Sequence, residues 1–373
     1  MRVSAAVVVS GALLLAGCTS TGSAGGGTTR PPASTSKTGR LTAPVTGQQM
    51  AAIVAATTTE NNRANQSLSL PELKSYEAGS ALAIDGAAYA ESAQLTNSEC
   101  SFLPFGVKVL QAMAKGGTSY PAQFVVLGNT YQMKPPHGCR TSTAGCPDAG
   151  TILVFSRSTA SSPWQIVLEP NADPGDTIRL RGSGANGSGS IAAGMPPAGP
   201  DPKVVPTDVA NALEGYETSG HLGSLKATYF TGSCWPIPDP RAAYEQYRKS
   251  DVNEAESYSP ASDLVSYVTA SGRSALAIFT LHFEIQLVPA EASSSIAWAS
   301  DPESDPVTAL LPTGAYSRIV ENGSLQIAAV VGSGANGTDF TIIGSYGGVT
   351  SISGTKGSTS SSGGGGILVS YGG

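Results

Sequence analysis

An α+β fold is predicted for this 373-residue chain by three observations. Helical patterns come first and runs of strands follow, the order that places helices on one face of an antiparallel sheet. That order occurs twice, on either side of a Pro/Gly-rich stretch at 185–205. A hydrophobic share of 40% is enough to build cores, and the length has room for about two domains of ~150 residues once targeting and linker segments are set aside.

Residues 1–18 are expected to be a lipoprotein signal segment. Arg2 is followed by an apolar run at 3–15, closed by Leu15-Ala16-Gly17-Cys18. The run is shorter than the ~20 residues that span a bilayer, so an anchor made of lipid is favoured over one made of a helix. Cleavage before Cys18 and diacylation of its thiol would supply two acyl chains, enough for stable attachment to a membrane. Residues 19–41 are Ser, Thr, Gly and Pro without an apolar period and are expected to be a flexible tether. Within it, Ser34-x-x-Lys37 and Lys37-Thr38-Gly39 match penicillin-binding signatures by letter, but they overlap in one segment and lack the folded context those signatures need.

Charge narrows the partners. Asp, Glu, Lys and Arg make up 13% of the chain and the net charge is -6, with no Lys/Arg cluster, so nucleic-acid binding is set aside. An exported chain meets an oxidising compartment, where Cys100, Cys139, Cys146 and Cys234 are disulfide candidates. Cys139 and Cys146 share a loop that is cheap to close, and their pairing leaves Cys100 and Cys234 as a staple between the halves. A zinc site from His137, Cys139, Cys146 and His221 is the alternative, although no C-x-x-C or H-x-x-x-H spacing supports it.

In the first half, expected over 42–184, Thr46-x-x-Gln49 is a capping box ahead of Met50, Ile53 and Val54 at helical spacing. A second helix is predicted from Pro71 through Leu73, Tyr76, Ala83 and Ala87, weakened by Gly79 and Gly86. Strands are predicted at 105–113, 122–133, 151–157 and 164–168, with Ser158 to Pro163 as a hairpin turn. A linker covers 185–205 and the second half 206–350. There Thr207 and Asp239-Pro240 are predicted to start helices, the first carrying Val209, Leu213 and Tyr216, the second Tyr244 and Tyr247. Strands are predicted at 264–269, 276–287, 295–299, 316–321, 325–331 and 340–343, with Asn322-Gly323 as a two-residue hairpin turn. Residues 351–373 are expected to be a Gly/Ser-rich tail whose Ile367-Leu368-Val369 could add an edge strand.

Few motifs carry chemistry. Gly-Ser-Gly-Ala-Asn-Gly occurs at 182–187 and 332–337 and satisfies G-x-G-x-x-G, yet neither copy is followed by a helix, so both are predicted to be turns. Along 275–287, Phe279, Leu281, Phe283, Ile285 and Leu287 share one strand face, while Thr280, His282, Glu284 and Gln286 share the other. His282 and Glu284 are therefore the catalytic candidates, as acid and base in a concave sheet; a solvated polar face is the simpler account. No G-x-S-x-G elbow precedes a helix. Glycosidase carboxylate pairs are set by separation in space and leave no linear signature. Asp173 with Asp176, and Asp301 with Glu303 and Asp305, lack the order of a calcium loop. Trp164, Trp235, Trp298, Tyr216, Tyr244, Tyr247 and Tyr267 either line a groove or anchor cores, and with 6% aromatics the core reading is preferred. No metal or cofactor is expected.

The segment at Cys18, the run Leu153-Val154-Phe155-Ser156-Arg157 with Pro163-Trp164 after a turn, and the strand Leu276 to Glu284 together resemble a group of uncharacterised actinobacterial lipoproteins with a large domain of unknown function. The likeness covers most of 45–345; it implies location and architecture and transfers no site. The halves are expected to be cystatin-like or SnoaL-like. The expected role is that of a lipid-anchored protein on the extracytoplasmic face of the membrane, binding an envelope protein or small ligand without turnover. The alternative is a small-molecule hydrolase or isomerase on a cone-shaped α+β fold, using His282 and Glu284.

Overall fold

The structure, a computed structural model, describes residues 45–95, 102–115, 119–134, 150–172, 178–180, 188–191, 202–226, 228–231, 237–298, 306–332, 340–357 and 367–368. Its first half holds helices α1 (Gly47–Ser67), α2 (Leu70–Tyr76) and α3 (Gly79–Ser92), then strands β1 (Phe105–Lys115), β2 (Ala122–Gln132), β3 (Gly150–Arg157), β4 (Gln165–Leu168) and β5 (Asn171–Ala172). Strand β6 (Ser188–Ile191) leads to α4 (Val205–Ser219), α5 (Thr228–Thr231) and α6 (Pro240–Lys249). Then come β7 (Val252–Pro260), β8 (Val265–Val268), β9 (Ala275–Pro289), β10 (Ile296–Trp298), β11 (Gly314–Val331), β12 (Phe340–Lys356) and β13 (Ile367–Leu368). Among the described residues no helix is long and apolar enough to cross a membrane.

Local chemistry starts the helices. Thr46 Oγ1 accepts from the Gln49 amide at 3.3 Å and Gln49 Oε1 from the Thr46 amide at 2.8 Å, the capping box in full. Asp239 caps α6 by accepting from the Arg241 and Ala242 amides. Helix α4 starts two residues before Thr207, with Pro206 in its first turn and no side-chain cap. The single helix predicted from Pro71 breaks at Glu77 and Ala78, where the chain extends and Ala78 N–H donates to the Ile166 carbonyl at 2.9 Å. Gly79 then restarts the helix at φ +62°, a conformation that favours glycine.

The strands form one sheet in the order β13-β10-β11-β12-β5-β3-β2-β1-β6, with β4 beside β3 and β7 and β8 beside β9, which itself pairs β11. Pairing is antiparallel except for β1 with β6 and β10 with β13. The two-residue strand β5 is the joint. It pairs with β3 at Gly150 and Thr151 and with β12 at Gly344 and Ser345, so the sheet continues from one half into the other. There the sheet turns back on itself. Met113, Val125, Ile152, Val154 and Leu168 from the first half pack against Val265, Tyr267, Leu276, Ile278, Ala328 and Ile343 from the second.

Period-two alternation sends the other set of side chains outward to helices. Phe124, Val126, Leu153 and Phe155 meet Met50 and Val54 of α1. Ala277, Phe279, Leu281 and Ile327 meet Val209 and Leu213 of α4. The result is a helix, sheet, sheet, helix stack, with helices packed against one large, predominantly antiparallel sheet.

Four expectations change. The Asn322-Gly323 turn does not form: β11 runs through it, with a bulge against β12 at that point. A Cβ on Gly323 would lie 2.0 Å from Phe283 Cζ, so the glycine serves a close approach of the ring. Residues 351–356 of the expected tail belong to β12, which continues to Lys356 opposite Tyr316. The linker at 185–205 contains β6, which pairs with β1. The disulfide candidates are withdrawn: no disulfide occurs among the described residues, and Cys18, Cys100, Cys139, Cys146 and Cys234 all lie outside them. Among the described residues the halves are joined by the pairing of β5 and by the inter-sheet core. The Ile367-Leu368 pair does add a strand, parallel to β10.

Two substitutions test this arrangement. Ile278→Ala removes a fully buried side chain from between the layers and is expected to cost about 2–5 kcal/mol in denaturant unfolding. Gly344→Ala would place a Cβ 2.1 Å from the Asn171 carbonyl oxygen, pushing β5 off β12, and is expected to cost about 1–3 kcal/mol; a neutral result would mean that the joint is not tight.

Candidate functional site: a buried acidic seam

Where the inter-sheet core meets α3, the packing turns polar. The extended break between α2 and α3 aims Glu77 inward; it is 1% exposed and neither carboxylate oxygen has a hydrogen-bond partner. Asp85, buried on α3, accepts a hydrogen bond from the Tyr346 hydroxyl of β12. Glu169 follows β4, and its Oε1 is likewise buried without a partner. Oxygens from these three carboxylates all lie within 4.8 Å of one another. Were all three ionised, each pair would repel by roughly 3–4 kcal/mol at that distance and an effective dielectric of ~20.

The second half contributes the rest of the seam. Gln326 Oε1 accepts from the Glu169 amide at 2.7 Å, and its Nε2 donates to Ser80 Oγ at 2.9 Å. Ser80 and Thr280 share a hydrogen bond of 2.8 Å between hydroxyls, and Thr280 donates to Asp263 Oδ2 at 2.5 Å. Each of these groups has a partner, in contrast to Glu77. Burial first, then the neighbouring Asp85 and Glu169 charges, hold the Glu77 carboxyl well above the usual carboxylate range. Burial and Asp85 do the same to Glu169. Chemically, such a group can hold protons between carboxyls or bind a hard cation through oxygen.

A second group of acids lies under α4 and α6. Glu217 on α4, Glu254 on β7 and Glu321 on β11 are all buried. Glu214 Oε1 accepts from the Tyr258 amide at 2.7 Å. Burial, with Glu256, Glu217 and Glu321 nearby, pushes the Glu254 carboxyl up to about 9. Burial also leads the rise of Glu256 to about 7.

The residues singled out from sequence fall elsewhere. His282 is exposed, and its Nδ1 lies 3.1 Å from Ser324 Oγ. Glu284 Oε1 accepts from Gln286 Nε2 at 2.6 Å, so the two candidates are engaged by different partners. The strand face that carries them is not solvated throughout: Leu276 and Ile278 lie between the layers, Thr280 joins the seam, His282 is exposed, and Glu284 and Gln286 are half-buried. His221 is exposed just past the end of α4. His137, Asp173, Asp176, Asp301, Glu303, Asp305, Trp235 and the 182–187 motif lie outside the described residues, as does 333–337 of the second copy. Trp298, Tyr247 and Tyr267 are buried anchors. Trp164 borders a shallow concavity with Val45, Gln49, Ile53 and Arg157, whose guanidinium sits 4.7 Å above the indole.

Sequence reasoning missed all three seam acids. One signal was available: Asp85 stands in Ala81-Leu82-Ala83-Ile84-Asp85-Gly86-Ala87-Ala88, an apolar helix stretch in a chain poor in charge. Glu77 and Glu169 sit beside Tyr76 and Pro170 and show no pattern. Compared with known proteins, the chain matches no family model, no curated relative and no solved structure.

The raised carboxyls set the sign of the pH dependence. Ordinary glutamates titrate near 4.5, the value expected once the chain unfolds, while Glu256 and Glu254 hold their protons to about 7 and about 9 in the fold. Their stabilisation is complete below pH ~4.5 and is lost as pH rises through these folded values. Thermal unfolding in chelator is therefore expected to show a lower Tm at pH 9.5 than at pH 5, and Glu254→Gln should flatten the upper part of that fall. A Tm that climbs across the range would contradict the assignment.

Proposed function

We propose that the chain is exported, lipidated at Cys18 and held on the extracytoplasmic face of the cell membrane, where its folded part binds an envelope protein or small ligand without turnover. The observation that carries this reading is Leu15-Ala16-Gly17-Cys18 at the end of a short apolar run, followed by the Ser/Thr/Gly tether of 19–41 and then by the capped start of α1. Two acyl chains on one cysteine satisfy the two-signal requirement for stable anchoring.

Binding without turnover is favoured because His282 is exposed and paired with Ser324, which leaves the acid/base alternative without an enclosed site. We also read the halves as related units of cystatin-like or SnoaL-like type within the actinobacterial lipoprotein group that the sequence resembles. What supports this is the repeated order of helices and then antiparallel strands on either side of 185–205.

Feeding cells an alkyne-tagged palmitate while they express the full chain tests the anchor. The wild type is expected to carry the label and to sediment with membranes, whereas Cys18→Ala should lose the label to background. An unlabelled wild type, or a Cys18→Ala chain that still carries the label, would overturn lipidation at this residue.

A further inference from the structure

We infer that Glu77, Asp85 and Glu169 bind one hard divalent cation, calcium by size and ligand type, at the seam between the two sheet layers. Three carboxylates gathered from separate parts of the chain are not by themselves a site. The second observation is Glu77: at 1% exposure, with both oxygens unpartnered, it is the kind of buried polar group that folded proteins rarely leave unmatched. The unpartnered Glu169 Oε1 lies in the same cluster.

The donor set selects the ion. All three ligands offer carboxylate oxygen, with no histidine or cysteine among them, which suits calcium, magnesium or manganese better than zinc or copper. Oxygens on opposite sides of a calcium ion bonded at about 2.4 Å stand about 4.8 Å apart. The oxygens of this cluster lie within that span. Magnesium needs shorter bonds and a near-octahedral shell that keeps several waters, a poor match for a group packed beneath α3. Two of the ligands are held from the opposite half, Asp85 by the Tyr346 hydroxyl and the Glu169 backbone by Gln326. An ion here would tie the α2–α3 break and α3 to the end of β4, segments that Tyr346 and Gln326 already hold to β12 and β11, and its binding free energy would appear as stability of the fold.

The full chain, solubilised in detergent and stripped with a chelator, is titrated with calcium, magnesium and zinc chlorides while thermal unfolding is followed. Calcium at about a hundredfold excess over its Kd is expected to raise Tm by about 5 °C, with magnesium and zinc weaker. Terbium should bind in its place and luminesce on tyrosine excitation, since the Tyr346 hydroxyl sits on one of the ligands. Glu77→Gln and, as a second variant should the first fail to fold, Glu169→Gln are expected to abolish both signals, whereas Glu254→Gln should keep them. Absence of a calcium shift in the wild type, a shift larger with zinc than with calcium, or a calcium shift that survives in a folded Glu77→Gln or Glu169→Gln chain would each overturn the proposal. A chelator-insensitive Tm that rises in Glu77→Gln would identify carboxyls sharing protons instead.

Discussion

The packing of Val125, Ile152 and Val154 against Leu276, Ile278 and Ile343 sets the conditions under which the rest of the chain folds. Burying an aliphatic side chain is worth about 1.5–3 kcal/mol, so this handful of contacts is comparable with the whole net stability of a typical domain, about 5–15 kcal/mol. A sheet buried on that face can stay soluble in only two ways: its other face meets water, or something covers it. Here Phe124, Phe155, Phe279 and Leu281 on the outward faces are fully buried, so α1 and α4 are required as covers. The four-layer order follows from the two-sided apolar character of β2, β3 and β9.

That two-sidedness also governs what could be read in the sequence. Features that depend on neighbours along the chain were legible: the Thr46 and Gln49 box, the Asp239 cap, and the positions of β1 to β4 and β9. Features that depend on distant partners were not. Asn322-Gly323 has strong turn chemistry, but β11 is flanked there by β9 and β12, and the Phe283 ring needs the space above Gly323. Tertiary pairing outweighs a preference worth about 1 kcal/mol or less. The joint between the halves consists of Asn171 and Ala172, too short for any periodicity to mark it.

The candidate site was legible least of all. Asp85, Glu77 and Glu169 come together only after α3 has docked across β4 and β12, and a search for ligand spacing along the chain has nothing to find. The alternation of His282 and Glu284 was read correctly as one strand face. What it could not reveal is how this one face of β9 changes along its length: Ile278 is enclosed, Thr280 lies in the polar seam, and His282 is exposed. A single strand thus crosses three environments, and its alternation reports which side a residue is on but not how deep it lies.

Depth is also what makes the acids consequential. A carboxylate in water costs the fold little, whereas Glu77 has lost its water and gained no donor in exchange. Its proton or counter-ion must then be supplied from solution, which links the stability of the stack to what the surroundings contain. Glu254 and Glu217 place a second such dependence beneath α4, in a different layer. The two groups differ in one respect. The seam acids all come from the first half but are held by Tyr346 and Gln326 of the second, so whatever neutralises them acts where the halves meet. The acids under α4 lie within the second half and act on that half alone.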